Sequence, residues 1–409
     1  MSKPPPQPAK AKRLVGKIVV NGRSSKLECA MILFLSTFFL LYGALHLFAF
    51  MKVKAAFALG ARSGFFLALL MAGMTVAPLI IRLLEKQGHE SMARLLAYVG
   101  YTWMGAILLF FVAGIALDLY RLSVHGAAIL LRKDLTPFFP SPRSCFVIPL
   151  ICALSIVLYG YFEAGDIHVE KFTIRSPKIS KSAGKITIAQ ISDVHLGLIV
   201  REERLKRILE LVKSEKPDIL ISTGDLVDGQ INNLSGLAEL LREVKPRYGK
   251  YAVTGNHEFY AGLPQALAFT KQAGFTMLRG RGITVAGRIN LVGVDDPAGL
   301  VSGFYRGVYE KDLLSRMPRD KFTLLIKHLP IVDESALGLF DLQISGHTHQ
   351  GQIFPFRYIT RLSFRYNSGW FDLPEHSRLY VSRGTGTWGP PIRFLAPPEV
   401  TVFELIHGD

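Results

Sequence analysis

The segment ITIAQISDVH (residues 186–195) is an apolar, isoleucine-rich run that ends in Asp193-Val-His195. Four similar runs follow along the chain, and each also ends in polar residues. DILIST leads to Gly224-Asp225, KYAVT to Gly255-Asn256-His257-Glu258, TLLIK to His328, and LQIS to Gly346-His347-Thr348-His349. Each run has about the length of a buried strand, so the sequence predicts five strands with a polar cluster at each carboxyl end.

Amphipathic segments separate these runs. REERLKRILELVKSE (201–215) places its leucine, isoleucine and valine side chains on one face of a helix, and Pro217 follows its end. Strands that alternate with helices predict an α/β domain. Because functional sites in open α/β sheets lie at the carboxyl ends of the strands, we expect the five polar clusters to meet there.

The residue types in these clusters suit divalent metal ions. Seven side chains are candidate ligands: Asp193, His195, Asp225, Asn256, His328, His347 and His349. Carboxylate, imidazole and amide groups suit Mn²⁺, Fe²⁺ or Zn²⁺, and no cysteine follows Cys152 to build a thiolate site. Seven ligands fit two ions that share a bridging carboxylate, an arrangement that activates a water between the ions for attack on phosphorus.

Each cluster taken singly also has a structural explanation. Gly-Asp and Asn256 are common in turns, and a lone histidine such as His328 is often an ordinary core or surface residue. The order of all five clusters, each after a strand-like run, favours the metal site.

The first 164 residues are of a different kind. Residues 1–26 are predicted to be a disordered basic tail, and residues 27–164 hold four apolar runs at about 29–51, 64–84, 96–117 and 145–162. Buried core helices, or a cleaved signal peptide for the first run, are alternatives, but the number, length and weak amphipathicity of the runs predict four transmembrane helices. The remaining residues, 165–409, form the predicted α/β domain.

The positive charge is concentrated in the membrane part. Residues 1–164 carry 17 Lys and Arg against 6 Asp and Glu, whereas the rest of the chain has a net charge of only +5. This distribution fits membrane topology and anionic lipids better than nucleic acid, which we do not expect as a partner. The basic tail predicts a cytoplasmic N-terminus, and four spans would return this multi-pass chain to the same side. The domain after residue 165 is therefore predicted to be cytoplasmic, although four basic residues in the link 118–143 oppose that orientation.

The series DVH…GDLVDG…GNHE…H…GHTH resembles the calcineurin-like metallophosphoesterase superfamily over about residues 185–405. NLVGVDDP (290–297), SGHTHQGQ (345–352) and RGTGTWGPPIRFLAPPEVTVFEL (383–405) resemble its bacterial YkuE/YaeI-like branch, and the front half is similar to transmembrane proteins with a metallophosphoesterase domain. The resemblance implies a two-sheet α/β sandwich with a dinuclear site at one sheet edge, in a protein of a bacterial-type inner membrane.

The resemblance also implies individual roles. Asp193, His195 and His349 would hold one metal, Asn256, His328 and His347 the second, and Asp225 would bridge them. His257 matches a histidine that contacts the substrate phosphate and protonates the leaving oxygen, which suits an imidazole of near-neutral pKa. Asp228 and Glu258 are expected either to support the ligands or to start a helix.

The segment FPFRYITRLSFRYNSGWF (354–371) mixes three arginines with seven aromatic residues. It has two interpretations. The favoured one is an ordinary loop and strand that pack on the core, and the alternative is a flap that faces phospholipid or grips the substrate.

These features predict a membrane-anchored hydrolase of a phosphate ester or pyrophosphate on a small-molecule or lipid substrate, with membrane lipids as neighbours and two divalent ions (Mn, Fe or Zn) as cofactors. A lipid-linked substrate is one candidate, because anchoring raises its local concentration. Two alternatives are a nuclease-type phosphodiesterase and a regulatory phosphatase domain of a membrane sensor or transporter. The small charge of residues 165–409 disfavours the first, and the scarcity of intramembrane charges disfavours the second.

Overall fold

The computed structural model describes residues 35–229, 234–301 and 307–408, together with Leu33 and Gly303. The predicted disordered tail, residues 1–26, lies outside the described residues. The chain forms two compact units. Of the described residues, one unit comprises those up to 75 and 140–146, and the other comprises those from 76 to 139 and from 147 to 408.

Among the described residues, four helices are long and apolar enough to cross a membrane. They are α1 (Leu35–Phe57), α2 (Ala61–Lys86), α3 (Glu90–Leu131) and α4 (Ser144–Gly165). The helix α3 has 42 residues and extends beyond the predicted run 96–117 at both ends. Residues 118–131, about half of the link 118–143 between the third and fourth apolar runs, continue this helix. Asp118 and Arg121 form an ion pair one turn apart there.

The domain after α4 contains two six-stranded sheets, which confirms the predicted two-sheet α/β class. The first has the order β1-β12-β2-β3-β4-β5 and the second the order β10-β11-β9-β8-β7-β6. The strands are β1 (His168–Ser176), β2 (Lys185–Ile191), β3 (Ile219–Ser222), β4 (Lys250–Ala252), β5 (Thr276–Met277), β6 (Arg281–Val285), β7 (Ile289–Gly293), β8 (Phe322–Ile326), β9 (Leu342–Ser345), β10 (Gly369–Asp372), β11 (Arg378–Val381) and β12 (Glu399–His407).

Seven α-helices complete the part of the domain that the structure describes. They are α5 (Glu202–Ser214), α6 (Ser235–Glu243), α7 (Asn256–Ala261), α8 (Leu263–Gln272), α9 (Ala298–Val301), α10 (Glu310–Ser315) and α11 (Arg357–Ser363). The apolar face predicted for 201–215 is confirmed, since Leu205, Ile208, Leu209 and Val212 of α5 are all buried. The helices α5, α6 and α8 cover the outer face of the first sheet, and α10 packs on the second sheet.

The main core lies between the two sheets. Ile188 and Ile221 of the first sheet belong to the same buried cluster as Leu324 and Ile344 of the second. The strands β2, β3 and β4 are parallel neighbours, as are β7, β8 and β9, so their carboxyl ends form one edge on each sheet.

The last turns of α4 contact this edge. Only two residues separate α4 from β1, and His168 at the start of β1 pairs with Glu399 at the start of β12. The carbonyl of Gly160 accepts a hydrogen bond from the backbone N–H of Arg393 (2.9 Å), and the Glu163 carboxylate accepts bonds from the N–H groups of Leu395 and Ala396 (3.1 and 3.0 Å). The end of an apolar helix is therefore joined directly to the loop between β11 and β12.

Candidate metal centre

Each predicted polar cluster lies where a strand ends. Asp193 and His195 follow β2, Asp225 follows β3, Asn256 begins α7 after β4, His328 follows β8, and His347 and His349 follow β9. The two sheets bring these segments together. Gly224 makes the approach possible, because it has φ +101° and any Cβ there would lie 2.5 Å from the backbone nitrogen of Gly255.

One group of ligand atoms consists of Asp193, His195 and His349. Their oxygen and nitrogen atoms all lie within 4.8 Å of one another. Nε2 of His349 is 3.1 Å from Nε2 of His195 and 3.3 Å from a carboxylate oxygen of Asp193. All three residues are buried.

A second group consists of Asp225, His328 and His347, with Asn256 beside it. Nε2 of His328 is 3.0 Å from Oδ2 of Asp225 and 3.2 Å from Nδ1 of His347, which is 3.1 Å from Oδ1 of Asn256. The same Oδ2 atom of Asp225 is 3.9 Å from Nε2 of His195. Asp225 therefore lies between the two groups.

This donor set fits divalent ions. Two pairs of imidazole nitrogens face each other at 3.1 and 3.2 Å, next to buried carboxylates that lack an Arg or Lys partner among the described residues. Such atoms all offer lone pairs toward a common point, and a cation is the species that satisfies them together.

The pKa shifts of four candidate ligands agree with that fit. Burial opposes ionisation of Asp193 and Asp225, but the surrounding histidines hold the pKa of both carboxyls below their usual range. Burial and the neighbouring His257 lower the pKa of His195 to about 3, and burial and His328 lower that of His347 to about 4. Both rings are therefore neutral at pH 7, the state in which imidazole binds a metal.

The backbone at the candidate ligands is strained. Five of the seven are non-glycine residues with positive φ: Asp193 (52°), His195 (54°), Asp225 (51°), His347 (74°) and His349 (49°). Such conformations each cost about 1–3 kcal/mol and concentrate at functional sites. The surrounding fold holds these residues in conformations that the free chain would avoid.

His257 lies beside both groups. Its ring packs edge-on against His195, with the centroids 4.6 Å apart, and Nδ1 is 2.9 Å from the carboxylate of Asp228. Burial disfavours the charged ring, but Asp225 and Asp228 outweigh it and raise the pKa of His257 to about 9. Trp388 and Tyr260 contact the same ring at 5.6 and 5.4 Å.

Asp228 and Glu258 both support the site. Asp228 orients His257 as described. The Glu258 carboxylate accepts hydrogen bonds from the backbone N–H groups of Asp225, Leu226 and Gly255 (3.0, 2.8 and 2.6 Å). It therefore ties the loop that carries Asp225 to the start of α7.

Arg393 is a site residue that sequence reasoning missed. Its side chain is fully buried and donates to the backbone carbonyls of Arg383, Gly384, Gly386 and Ala396 at 2.7–3.3 Å. Its Nη2 atom also lies 3.2 Å from Nδ1 of His349. The only sequence signal was its place in the stretch RGTGTWGPPIRFLAPP, where nothing local marks one arginine as buried.

Comparisons with known proteins agree with this geometry. Residues 186–351 match the family model described as calcineurin-like phosphoesterase. An uncharacterized metallophosphoesterase of Aquifex aeolicus is 40% identical over 63% of this chain and 98% of its own length, and one of Campylobacter jejuni is 30% identical over 75% and 83%. A zebrafish (Danio rerio) "transmembrane protein with metallophosphoesterase domain" is 30% identical over 62% of this chain and 61% of its own.

These similarities, the two-sheet fold and the clustered aspartates and histidines support one assignment. The four apolar helices, together with the transmembrane relative, indicate association with a membrane. The chain belongs to the calcineurin-like metallophosphoesterases, a family of phosphoric ester hydrolases.

Proposed function

We propose that the protein hydrolyses a phosphate ester or pyrophosphate at a membrane, with two divalent ions held at the ends of the strands. The observation that carries this proposal is the position of Asp225 between two groups of ligand atoms, 3.0 Å from His328 and 3.9 Å from His195. A single ion would leave one of the groups without a function.

The ligands divide as follows. Asp193, His195 and His349 would hold the first ion, Asn256, His328 and His347 the second, and Asp225 would bridge them. When bound, the ions (Mn, Fe or Zn) would supply an activated water and neutralise the charge that develops on the phosphoryl oxygens. The neutral His195 and His347 rings are ready to bind without first losing a proton.

His257 would protonate the leaving oxygen. Asp228 holds Nδ1 at 2.9 Å, which leaves Nε2 for the substrate, and the two nearby carboxylates favour the protonated ring. A positioned acid of this kind contributes about 10²–10⁴-fold to the rate. Its place beside His195 and Asp225 puts the proton next to the proposed ions.

The four apolar helices would make the protein an integral, multi-pass membrane protein with the catalytic domain on the cytoplasmic side. The basic residues 1–26 support that orientation. The substrate would be a phosphorylated small molecule or, more effectively, a lipid-linked phosphate that shares the membrane with the enzyme.

The test of the activity uses the purified full-length protein with Mn²⁺. It is incubated with a phosphomonoester, a phosphodiester and a lipid pyrophosphate, beside Asp225→Ala. The matched control is Asp320→Ala, which removes an exposed aspartate whose ion pair joins it to the adjacent Lys321. We expect hydrolysis of at least one substrate by the wild type and the control but not by Asp225→Ala. Absence of hydrolysis, or equal hydrolysis by all three proteins, would overturn the proposal.

The orientation has a separate test. A single cysteine at the exposed Ser182, in a chain without its own three cysteines, is treated with an impermeant maleimide in intact cells. A cytoplasmic domain is labelled only after permeabilisation, and labelling of intact cells would place the domain on the other side.

A further inference from the structure

The exposed apolar side chains described in the catalytic domain lie in a few segments that follow strand ends. Among the described residues after 165, eleven large apolar or aromatic side chains are exposed. Every one lies in a segment that follows the carboxyl end of β4, β7, β8, β9 or β11. The segments after β4, β8 and β9 carry candidate metal ligands, and the segment after β11 contacts one of them through Arg393. Monomeric soluble domains rarely concentrate their exposed apolar surface in this way, and such a concentration marks an interaction site.

The helix α11 is the most apolar part of this surface. Tyr358, Ile359 and Leu362 are exposed on it, and Leu362 is 88% exposed. Arg361 and Arg365 are exposed in the same short segment. Exposed apolar side chains next to arginines are typical of helices that lie in the headgroup region of a bilayer. The segment is also continuous with the metal centre, because the ring of Phe364 packs edge-on against His347, with the centroids 5.0 Å apart.

A row of aromatic rings joins α11 to the end of α4. Tyr159 in the last two turns of α4 contacts Phe394 (6.1 Å between centroids), Phe394 contacts Phe354 (6.4 Å), and Phe354 contacts Tyr358 of α11 (5.8 Å). Tyrosines near the end of a membrane-spanning helix lie at the level of the lipid headgroups. The row therefore extends from that level to the exposed face of α11.

The metal centre lies close to the same helix end. The backbone of Arg393 is bonded to Gly160 of α4, and its side chain reaches within 3.2 Å of His349. One arginine side chain thus separates a candidate metal ligand from an apolar helix that is long enough to cross the bilayer.

From these contacts we infer that the surface formed by Tyr358, Ile359, Leu362 and Trp388 lies in the headgroup layer of the membrane in which the protein is anchored, and that the metal centre takes its phosphate from lipids in that layer. The second part rests on the proposed phosphoesterase activity, and the first does not. The occupant of the surface is the anionic lipid layer, since the adjacent arginines match its charge and α4 brings the surface to its depth.

The contact with lipid is tested on the full-length protein in nanodiscs. Single cysteines at Leu362 and Ile359, in a chain with Cys29, Cys145 and Cys152 replaced by serine, carry a bimane fluorophore. The matched control is a bimane at Ser182, which is exposed in the turn between β1 and β2. Lipids brominated near the top of the acyl chain should quench the labels at 359 and 362 at least about twofold more than the label at 182, because an interfacial helix buries its apolar face by roughly 5–10 Å. Equal quenching at the three sites would overturn the inference.

The source of the phosphate is tested by competition. Hydrolysis of p-nitrophenyl phosphate is measured over the same range of bulk concentrations of two inhibitors, phosphatidic acid in the nanodisc and glycerol 3-phosphate in solution. The lipid should inhibit at a concentration at least about tenfold lower, since both the lipid and the site are confined to one surface. Equal inhibition by the two compounds, or none by phosphatidic acid, would refute a lipid source. If none of the three substrates of the activity test is hydrolysed while the quenching is intact, the proposed activity is refuted and the lipid contact stands.

Discussion

The pair Asp228–His257 offers a quantitative test of the proposed acid. Asp228→Asn keeps an oxygen that can accept the Nδ1–H bond at 2.9 Å but removes the charge. Two unit charges about 4 Å apart interact by ~4 kcal/mol at an effective dielectric constant of ~20 and by ~1 kcal/mol in water. The Asp228 side chain is 35% exposed, so the true value lies between these limits. One pKa unit corresponds to about 1.4 kcal/mol, so we expect the pKa of His257 to fall by ~1–2 units.

The assay is the pH dependence of kcat with p-nitrophenyl phosphate. Because His257 acts in its protonated form, a lower pKa removes the proton donor at a lower pH. The alkaline limb of the profile should therefore move down by ~1–2 pH units in Asp228→Asn, while the acidic limb stays in place. Bound ions would lower the pKa of His257 in both proteins, so the difference between them would persist. A uniform fall in kcat without a shift of the alkaline limb would refute the role of His257 as the acid.

Three further predictions follow from other contacts. In His349→Ala, metal analysis of the purified protein should show the loss of about one ion per chain, whereas an unchanged metal content would remove His349 from the ligand set. In Arg393→Met, four buried or partly buried carbonyls lose their donors at about 1 kcal/mol each, so the free energy of unfolding should fall by about 3–5 kcal/mol; a change under about 1 kcal/mol in thermal or denaturant unfolding would contradict this. Lys250 is buried, and burial lowers its pKa to about 8. Its folded pKa is below the unfolded value, so the cost of burying the charged amine is full below pH 8 and is relieved as the pH rises toward 10.5. Over that range the free energy of unfolding of the wild type should rise by up to about 3 kcal/mol relative to Lys250→Met, and a constant difference in melting temperature would contradict the lowered pKa of Lys250.

The strands and their polar ends were predictable because the signal is local. The length and hydrophobicity of a run such as ITIAQIS indicate a buried strand by themselves, and the polar residues follow it directly. Parallel strands then bring their polar ends to one edge of each sheet, with Asp193 and Asp225 in the first sheet and His328 in the second, without any knowledge of side-chain contacts. The seven candidate ligands all lie at these two edges, although their division between two ions remains a prediction.

The pairing of the strands was not predictable from local pattern. The strand β12, residues 399–407, lies between β1 and β2, more than 200 residues earlier in the sequence. No property of EVTVFELIH indicates which strands it will join, so the two-sheet arrangement came from family resemblance. Arg393 was missed for a similar reason, since its partners are carbonyls of a loop that exists only in the folded chain.

The segment 354–371 contains parts that fit both of its interpretations. Gly369–Asp372 forms β10, which pairs with β11, and Trp370 stacks on Phe172 of the first sheet, as expected for core packing. The part before it forms the exposed helix α11. Composition alone could not separate these parts, because aromatic residues occur both in cores and at membrane surfaces.

The two-residue connection between α4 and β1 has a kinetic consequence. With no flexible tether, a catalytic domain in this arrangement keeps a constant height above the bilayer and searches only by lateral diffusion. Its turnover of a lipid would then follow the mole fraction of that lipid in the surface rather than its amount per litre. Dilution with inert phospholipid should slow such an enzyme, whereas dilution of the whole suspension with buffer should not.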